Sequence, residues 1–195
     1  MKERFEQLLS SVQREGIDKL LDFIRKSDFY TAPASTRFHG AKEGGLLEHS
    51  LNVYTCLQSK AYNPLWDEHL KSIDKDSLII MALLHDLCKT YYYTIEMRNK
   101  KNDRGQWESV PFYAVDDKIP YGHGEKSVMM IEEYIKLKPV ERYAIRWHMG
   151  AYEGEKSWNT LGTAMEKYPL ILALHQADME ATYLMEKDGA VNEKN

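Results

Sequence analysis

Apolar residues recur at helical spacing along most of the chain. Near the amino terminus they fall on one face on both sides of Gly16, and this pattern predicts two short amphipathic helices over about Arg4 to Lys26, with the glycine as their joint. Between Ser27 and Gly45 the pattern stops, and proline, serine, threonine and glycine predict a loop. Helical spacing resumes at Leu46, where we expect a helix that packs into the core.

A nearly continuous apolar run precedes His85 and Asp86 in the segment DSLIIMALLHDLCK, and it predicts a helix that is buried on most sides. The stretch from Thr90 to Asp117 has a different character. Its β-branched and aromatic residues flank the polar sequence NKKNDRGQ, which predicts a β-hairpin at about residues 91–115.

Three further helical stretches follow. They begin after Gly122, at Pro139 and at about Leu161, and the last is predicted to continue to about Lys187. Residues 188–195 are polar, and we expect them to form a disordered tail. The whole pattern predicts an all-α helical bundle with a small β-hairpin insertion, organised as one domain over residues 1–195.

Composition narrows the class of protein. The chain has 195 residues, with 43% hydrophobic and 29% charged, which is typical of a globular domain and excludes a disordered or collagen-like chain. Its 26 basic and 30 acidic residues give a net charge of −4, so we expect no binding of extended duplex nucleic acid. Two cysteines indicate a reducing compartment, by default the cytoplasm. The charged amino terminus and the lack of a long apolar run predict neither secretion nor a membrane span.

Six histidines and aspartates fall at the ends or on the buried faces of the predicted helices. A carboxylate buried there needs a cation or hydrogen bonds to compensate its lost hydration. Imidazole and carboxylate groups without thiolate suit manganese, iron, cobalt, nickel or zinc better than magnesium. The candidate ligands are His49, His85, Asp86, His123, His148 and Asp178.

Three segments carry a resemblance to a known family. GGLLEHS, ALLHDLCK and ALHQADME present His, His-Asp and Asp in the order that is typical of the HD superfamily of metal-dependent phosphohydrolases. The resemblance covers about Arg37 to Leu184, and the GGLLEH segment is similar to HD domains of bacterial 3′-5′ exoribonucleases. It implies an HD-domain helical bundle and a hydrolase in which metal-activated water attacks a phosphate ester.

The resemblance also implies roles for individual residues. His49, His85, Asp86 and Asp178 would bind a first ion, while His123 in YGHGEKS and His148 in RWHMG would bind a second, with Asp86 as the bridge. A solvent-facing histidine is the alternative at position 123, which lies between glycines. Lys89, four residues after His85, is expected to contact a phosphoryl oxygen from the same helix side, unless it is simply an exposed lysine at a helix end. Cys88 stands where the family commonly has glycine, and we expect a small buried residue there.

The substrate is expected to be a small phosphorylated molecule of the nucleotide or short-oligonucleotide class. Four basic side chains near the proposed ligands are candidate substrate contacts, with solvated surface charge as the alternative: Arg37, His39, Lys42 and Lys126. His175 belongs to no part of the motif, and we expect it to be a supporting hydrogen-bond partner. Two other functions stay open, namely a mixed-valent di-iron oxygenase of the same superfamily and a metal-retaining binding module without turnover.

Overall fold

The computed structural model of the protein describes residues 1–186, and these form a helical bundle that carries one β-hairpin. The first five helices precede the hairpin and the remaining four follow it. They are α1 (Lys2–Ser10), α2 (Ile17–Lys26), α3 (Gly45–Ser59), α4 (Asp67–Leu70), α5 (Lys75–Leu84), α6 (His123–Glu132), α7 (Pro139–Trp147), α8 (Trp158–Lys167) and α9 (Leu170–Glu180). The all-α prediction with a small hairpin is confirmed.

The hairpin occupies the predicted position. Strand β1 (Tyr93–Lys101) pairs antiparallel with β2 (Trp107–Val115), in a register that sets Tyr93 opposite Val115 and Lys101 opposite Trp107. The turn between them closes with a hydrogen bond from the Asn102 amide to the Gln106 carbonyl, at 2.9 Å. The hairpin therefore matches the expected range of about 91–115.

The core is centred on α5, because this helix contacts α3, α7 and α1. Its residues from Ile79 to Leu84 are all buried, as the apolar run predicts. Helix α9 packs against α3 and α7, so the four helices surround one apolar interior. This packing brings the carboxyl ends of α5 and α7 close to the second turn of α3 and the carboxyl end of α9.

Gly16 is the joint between the first two helices, as predicted. Its backbone adopts a φ of +88°, and an added Cβ would lie 1.9 Å from the carbonyl oxygen of Tyr134. Both the dihedral angle and the close contact favour glycine at this position. The chain can therefore turn between α1 and α2 against the segment that follows α6.

The prediction of a single helix from Leu161 to Lys187 is wrong. The chain leaves the helix at Tyr168, where φ is −133° and ψ is 77°, and it restarts after Pro169. Proline disfavours helical geometry in the residue before it and lacks the amide proton that would continue the ladder. Helix α9 then ends at Glu180 and is followed by a π-helical turn, Ala181–Met185.

The predicted disordered tail at 188–195 lies outside the described residues. Within residues 1–186, no helix combines the length and the apolar composition that crossing a bilayer requires.

Candidate metal centre

Five segments bring the six predicted ligands to one place. Helix α5 ends at Leu84, and His85 and Asp86 form the turn that follows it. His49 lies in the second turn of α3, and Asp178 lies near the end of α9. The two remaining histidines stand at helix termini, with His123 as the first residue of α6 and His148 directly after α7.

Asp86 is at the centre of the cluster. Its Oδ1 lies 2.7 Å from Nε2 of His123 and 3.6 Å from Nε2 of His148. Its Oδ2 lies 3.5 Å from Nε2 of His85 and 3.6 Å from Nε2 of His49. The carboxylate is 2% exposed, so it lies in the protein interior with four imidazoles around it.

Asp178 closes the cluster on the side of α9. One of its oxygens lies 3.2 Å from Nε2 of His49. Burial opposes ionisation, but the adjacent imidazole of His49 holds the pKa of Asp178 well below its usual value. Both carboxylates of the cluster are therefore ionised at neutral pH.

Three of the Nε2 atoms are buried without a hydrogen-bond partner within the described part of the chain, those of His49, His85 and His148. A buried polar nitrogen that lacks a partner is costly, and such groups are rare in folded proteins. An ion bound by these nitrogens and the neighbouring carboxylates would satisfy them. The donor set therefore fits a divalent transition metal.

Backbone carbonyls fix the opposite side of two rings. Nδ1 of His85 lies 2.9 Å from the carbonyl oxygen of Ala82, and Nδ1 of His148 lies 2.6 Å from that of Ile145. These carbonyls belong to the last turns of α5 and α7, where a helix leaves its carbonyls without internal partners. An Nδ1–H that donates to the carbonyl leaves Nε2 as the lone-pair side, which faces the cluster.

The other two rings contact side chains. Nδ1 of His123 lies 3.4 Å from Sγ of Cys88, which is 2% exposed, so the prediction that this cysteine is buried is confirmed. Nδ1 of His49 lies 3.1 Å from both carboxylate oxygens of Glu186. Burial by itself would lower the pKa of His49, but the neighbouring carboxylates of Asp178 and Glu186 raise it to about 10. An ion at Nε2 would have to displace a proton from this ring.

Glu186 is a contact that the sequence analysis missed. It lies outside the three segments that carry the family resemblance, in a polar stretch near the end of the chain. A signal does exist, because Glu186 follows Asp178 by eight residues, and about two helical turns of 3.6 residues would return it to the same side. This spacing alone is weak evidence for a contact, because the π-helical turn between Asp178 and Glu186 changes the number of residues per turn.

Lys89 reaches the cluster by a different route from the one predicted. The helix ends at Leu84, so Lys89 lies in a separate 3-10 turn, Leu87–Lys89, and does not share a helix side with His85. Its Nζ nevertheless lies 2.7 Å from Oδ2 of Asp86. Burial raises the pKa of this carboxyl, yet Lys89 and His85 together hold it well below its usual value. Lys89 is thus a largely buried cation beside the central carboxylate, with its side chain 12% exposed, and the alternative of an exposed lysine is wrong.

Of the four predicted substrate contacts, His39 lies closest to the cluster. Its ring centroid is 4.9 Å from that of His49, and its Nε2 is buried without a hydrogen-bond partner among the described residues. Burial, followed by the charge of His49, lowers the pKa of His39 to about 4. Arg37 is exposed on the same loop and its guanidinium stacks on Phe38, with 5.0 Å between the guanidinium carbon and the ring centroid.

The two lysines of that group already have acidic partners. Lys42 pairs with Glu48 at 2.7 Å on the surface. Lys126 is 5% exposed, pairs with Asp117 at 2.5 Å and lies over the ring of Tyr92. A buried, compensated ammonium of this kind has a structural role, so the geometry gives no support to Lys126 as a substrate contact.

His175 contacts the backbone of one of the clustered histidines. Its Nδ1 lies 2.8 Å from the backbone carbonyl oxygen of His148. The contact fixes the chain at the end of α7 and leaves the His148 side chain free to face inward. The hydrogen bond expected of His175 is therefore made to the backbone of His148 and not to a ligand side chain.

Comparison with known proteins adds two findings. Residues 46–183 match the family model described as the HD domain. A 62-residue stretch is 40% identical to a protein of Methanocaldococcus jannaschii named dihydroneopterin 2′,3′-cyclic phosphate phosphodiesterase, and it covers 32% of this chain and 24% of that relative. The chain thus matches about a quarter of that protein's length. No solved structure matches the chain.

Proposed function

Since the chain belongs to the family of HD domains, we propose that it is a metal-dependent phosphohydrolase in which metal-activated water hydrolyses a phosphate ester. The observation that supports this most directly is the set of inward-facing Nε2 atoms around Asp86, three of which have no hydrogen-bond partner among residues 1–186. The relative from Methanocaldococcus jannaschii, named as a phosphodiesterase, favours hydrolysis over the oxygenase alternative.

We assign the ligands in overlapping groups that each fit one ion. His49, His85 and Asp178 offer donor atoms within 4.8 Å of one another, and so do His85, Asp86 and His148. A third group joins Asp86 and His123, with Cys88 beside them. The first two groups share His85 and the last two share Asp86, and this overlap supports a centre with two ions. When bound, such ions lower the pKa of coordinated water towards neutrality and neutralise phosphate oxygens.

The chain's own side chains supply the remaining requirements. Asp86 provides the oxygens that lie between the imidazoles, and its burial excludes competing solvent. Lys89 carries its charge beside this carboxylate, where an ammonium group is suited to contact a phosphoryl oxygen. His39, with its pKa near 4, is neutral at physiological pH and can contact a substrate without adding charge.

A phosphorylated heterocyclic substrate of the nucleotide class fits this proposal best. The relative's name describes a cyclic phosphate diester on a pterin, which is a bicyclic heteroaromatic group. We therefore propose nucleotides, including cyclic ones, or short oligonucleotides. Exposed Arg37 and the adjacent Phe38 offer a cation and an aromatic face on the loop that carries His39.

We also propose a cytoplasmic location for a single-domain protein. Cys56 and Cys88 are both free thiols, and the described helices other than α8 share a common core. Free thiols are usual in a reducing compartment.

The test is a comparison of metal content and turnover in three variants. After loading with Mn²⁺, Asp86→Ala should lose bound metal and hydrolysis together, whereas Lys89→Ala should retain metal and lose turnover by about 10²-fold. Asp103→Ala, in the exposed hairpin turn, is the control and should match the wild type. Substrates should include a mononucleotide, a 2′,3′-cyclic nucleotide and a short oligonucleotide.

Wild-type metal content and rate in Asp86→Ala would contradict the assignment. Metal binding by the wild type without turnover on any phosphate ester would instead favour the binding module. Oxygen consumption after anaerobic loading with iron would favour the oxygenase.

A further inference from the structure

We infer that Glu186 is a positioning residue for the metal centre, which acts through His49 and strengthens the hold of this histidine on its ion. The inference rests on the proposed metal binding and deepens it. Glu186 lies outside the matched HD segment, which ends at residue 183.

The contact between the two side chains is specific and buried. Both carboxylate oxygens of Glu186 lie 3.1 Å from Nδ1 of His49, and the Glu186 side chain is 4% exposed. The amide of Asn52, one helical turn after His49, donates to Oε1 of Glu186 at 2.8 Å. A carboxylate withdrawn from water to this extent is retained only when its partners compensate the lost hydration.

The backbone fixes Glu186 in this place. In the π-helical turn Ala181–Met185 the bonded groups are five positions apart, and the amide of Glu186 donates to the carbonyl of Ala181 at 3.1 Å. This wider turn carries the chain back towards α3 at the level of His49. The backbone therefore holds Glu186 within side-chain reach of the His49 ring.

Glu186 makes His49 different from the other three imidazoles. The rings of His85 and His148 meet neutral carbonyls through Nδ1, and that of His123 meets a thiol. A carboxylate is a stronger and negatively charged acceptor, so it fixes the proton on Nδ1 and makes Nε2 a better electron-pair donor. The ion that His49 binds should accordingly be the one most sensitive to changes in this outer contact.

The first experiment is a titration of metal-free protein with Mn²⁺ for the wild type and three variants. Glu186→Gln keeps the shape and an acceptor oxygen but removes the charge, and it should weaken binding of one ion about 10-fold. Glu186→Ala removes the contact altogether and should weaken it towards 100-fold. Glu166→Gln, an exposed glutamate of α8, is the matched control and should bind as the wild type does.

A second measurement separates positioning from a general loss of structure. In the Zn²⁺-loaded protein, ¹⁵N-edited spectra should show His49 with its proton on Nδ1, and the resonance of that proton should shift in Glu186→Gln while those of His85 and His148 stay in place. The His49 proton resonance can be measured without any turnover. If Glu186→Ala does not fold, the measurement can still be made on Glu186→Gln, which has nearly the same shape as the wild-type side chain.

The outcomes are distinct. If the wild type binds no metal, the proposed function fails. If the wild type binds metal and both Glu186 variants bind it with unchanged affinity, the proposed function stands and the role of Glu186 is refuted.

Discussion

Arg14 and Glu141 form an ion pair that connects three segments of the bundle far from the histidine cluster. Glu141, in the first turn of α7, is fully buried and accepts from the two terminal guanidinium nitrogens of Arg14 at 2.9 and 3.0 Å. It also accepts from the hydroxyl of Ser77 and from the backbone amide of Lys138, both at 2.7 Å. The network fixes the first turns of α5 and α7, the helices that end at two of the clustered histidines.

Replacing Arg14 by alanine removes two of the four hydrogen bonds to Glu141 and its compensating charge. The Arg14 side chain is 15% exposed and that of Glu141 is not exposed at all, so solvent cannot replace the lost partner. Breaking one side of a buried pair costs about 3–5 kcal/mol, since an uncompensated charge is left inside. We expect Arg14→Ala to lower the free energy of unfolding by that amount in urea at pH 7.

Two variants define what would contradict this reasoning. Arg25→Ala removes an ion pair with Glu6 in which the arginine is 45% exposed, and it should cost at most about 1 kcal/mol. Replacing Arg14 and Glu141 together by methionine should recover part of the loss, because no unpaired charge remains. If Arg14→Ala proves no more harmful than Arg25→Ala, the pair is not the buried connection described.

Two further predictions concern local structure. Burial opposes ionisation of Asp74, but this residue caps α5 and pairs with Lys138, and these contacts lower its pKa to about 2. Because the pKa is lower in the folded than in the unfolded protein, Asp74→Asn should reduce the free energy of unfolding by about 1 kcal/mol above pH 4, after screening at this half-exposed site. In urea unfolding series, the difference between variant and wild type should vanish as the pH falls towards 2. In Gly45, an added Cβ would lie 2.0 Å from the carbonyl oxygen of Gly40, so Gly45→Ala should cost about 1–3 kcal/mol in thermal unfolding. The exposed helical Gly162, with no neighbour within 4 Å, is the control, and Gly162→Ala should be neutral or stabilising. Equal effects of the two glycine substitutions would contradict the contact.

The elements of the fold were predictable wherever a local pattern determines them. The apolar run before His85 predicts burial of α5 by itself, and the alternation of aromatic and β-branched residues around NKKNDRGQ predicts the hairpin. The break at Pro169 is not visible in the hydrophobic pattern, because apolar residues continue at helical spacing on both sides of the proline. The pattern therefore predicts one helix, although proline disfavours helical geometry in the residue before it. In this case the stereochemistry of proline is the more reliable signal.

The cluster itself was predictable as a set of residues but not as an arrangement. Motif order selects the six ligands, whereas the contacts of their outer nitrogens depend on how the helices pack. The Glu186 contact with His49 joins residues that are 137 positions apart, and the weak eight-residue spacing from Asp178 is the local signal for it. The pairing of Lys126 with Asp117 is likewise visible only when α6 is placed beside the end of the hairpin segment.

Because their Nδ1 atoms are anchored, the imidazole rings lose their rotational freedom when the protein folds. His49, His85, His123 and His148 are each fixed from behind by a carboxylate, a carbonyl or a thiol, so folding restricts these rings before any ion arrives. Ligands that are already ordered lose little conformational entropy when an ion binds, so the affinity for the ion is reduced only slightly. Because the apolar interior assembles the centre, the protein is expected to release and rebind its ions without unfolding, unlike small zinc domains that fold only around their metal.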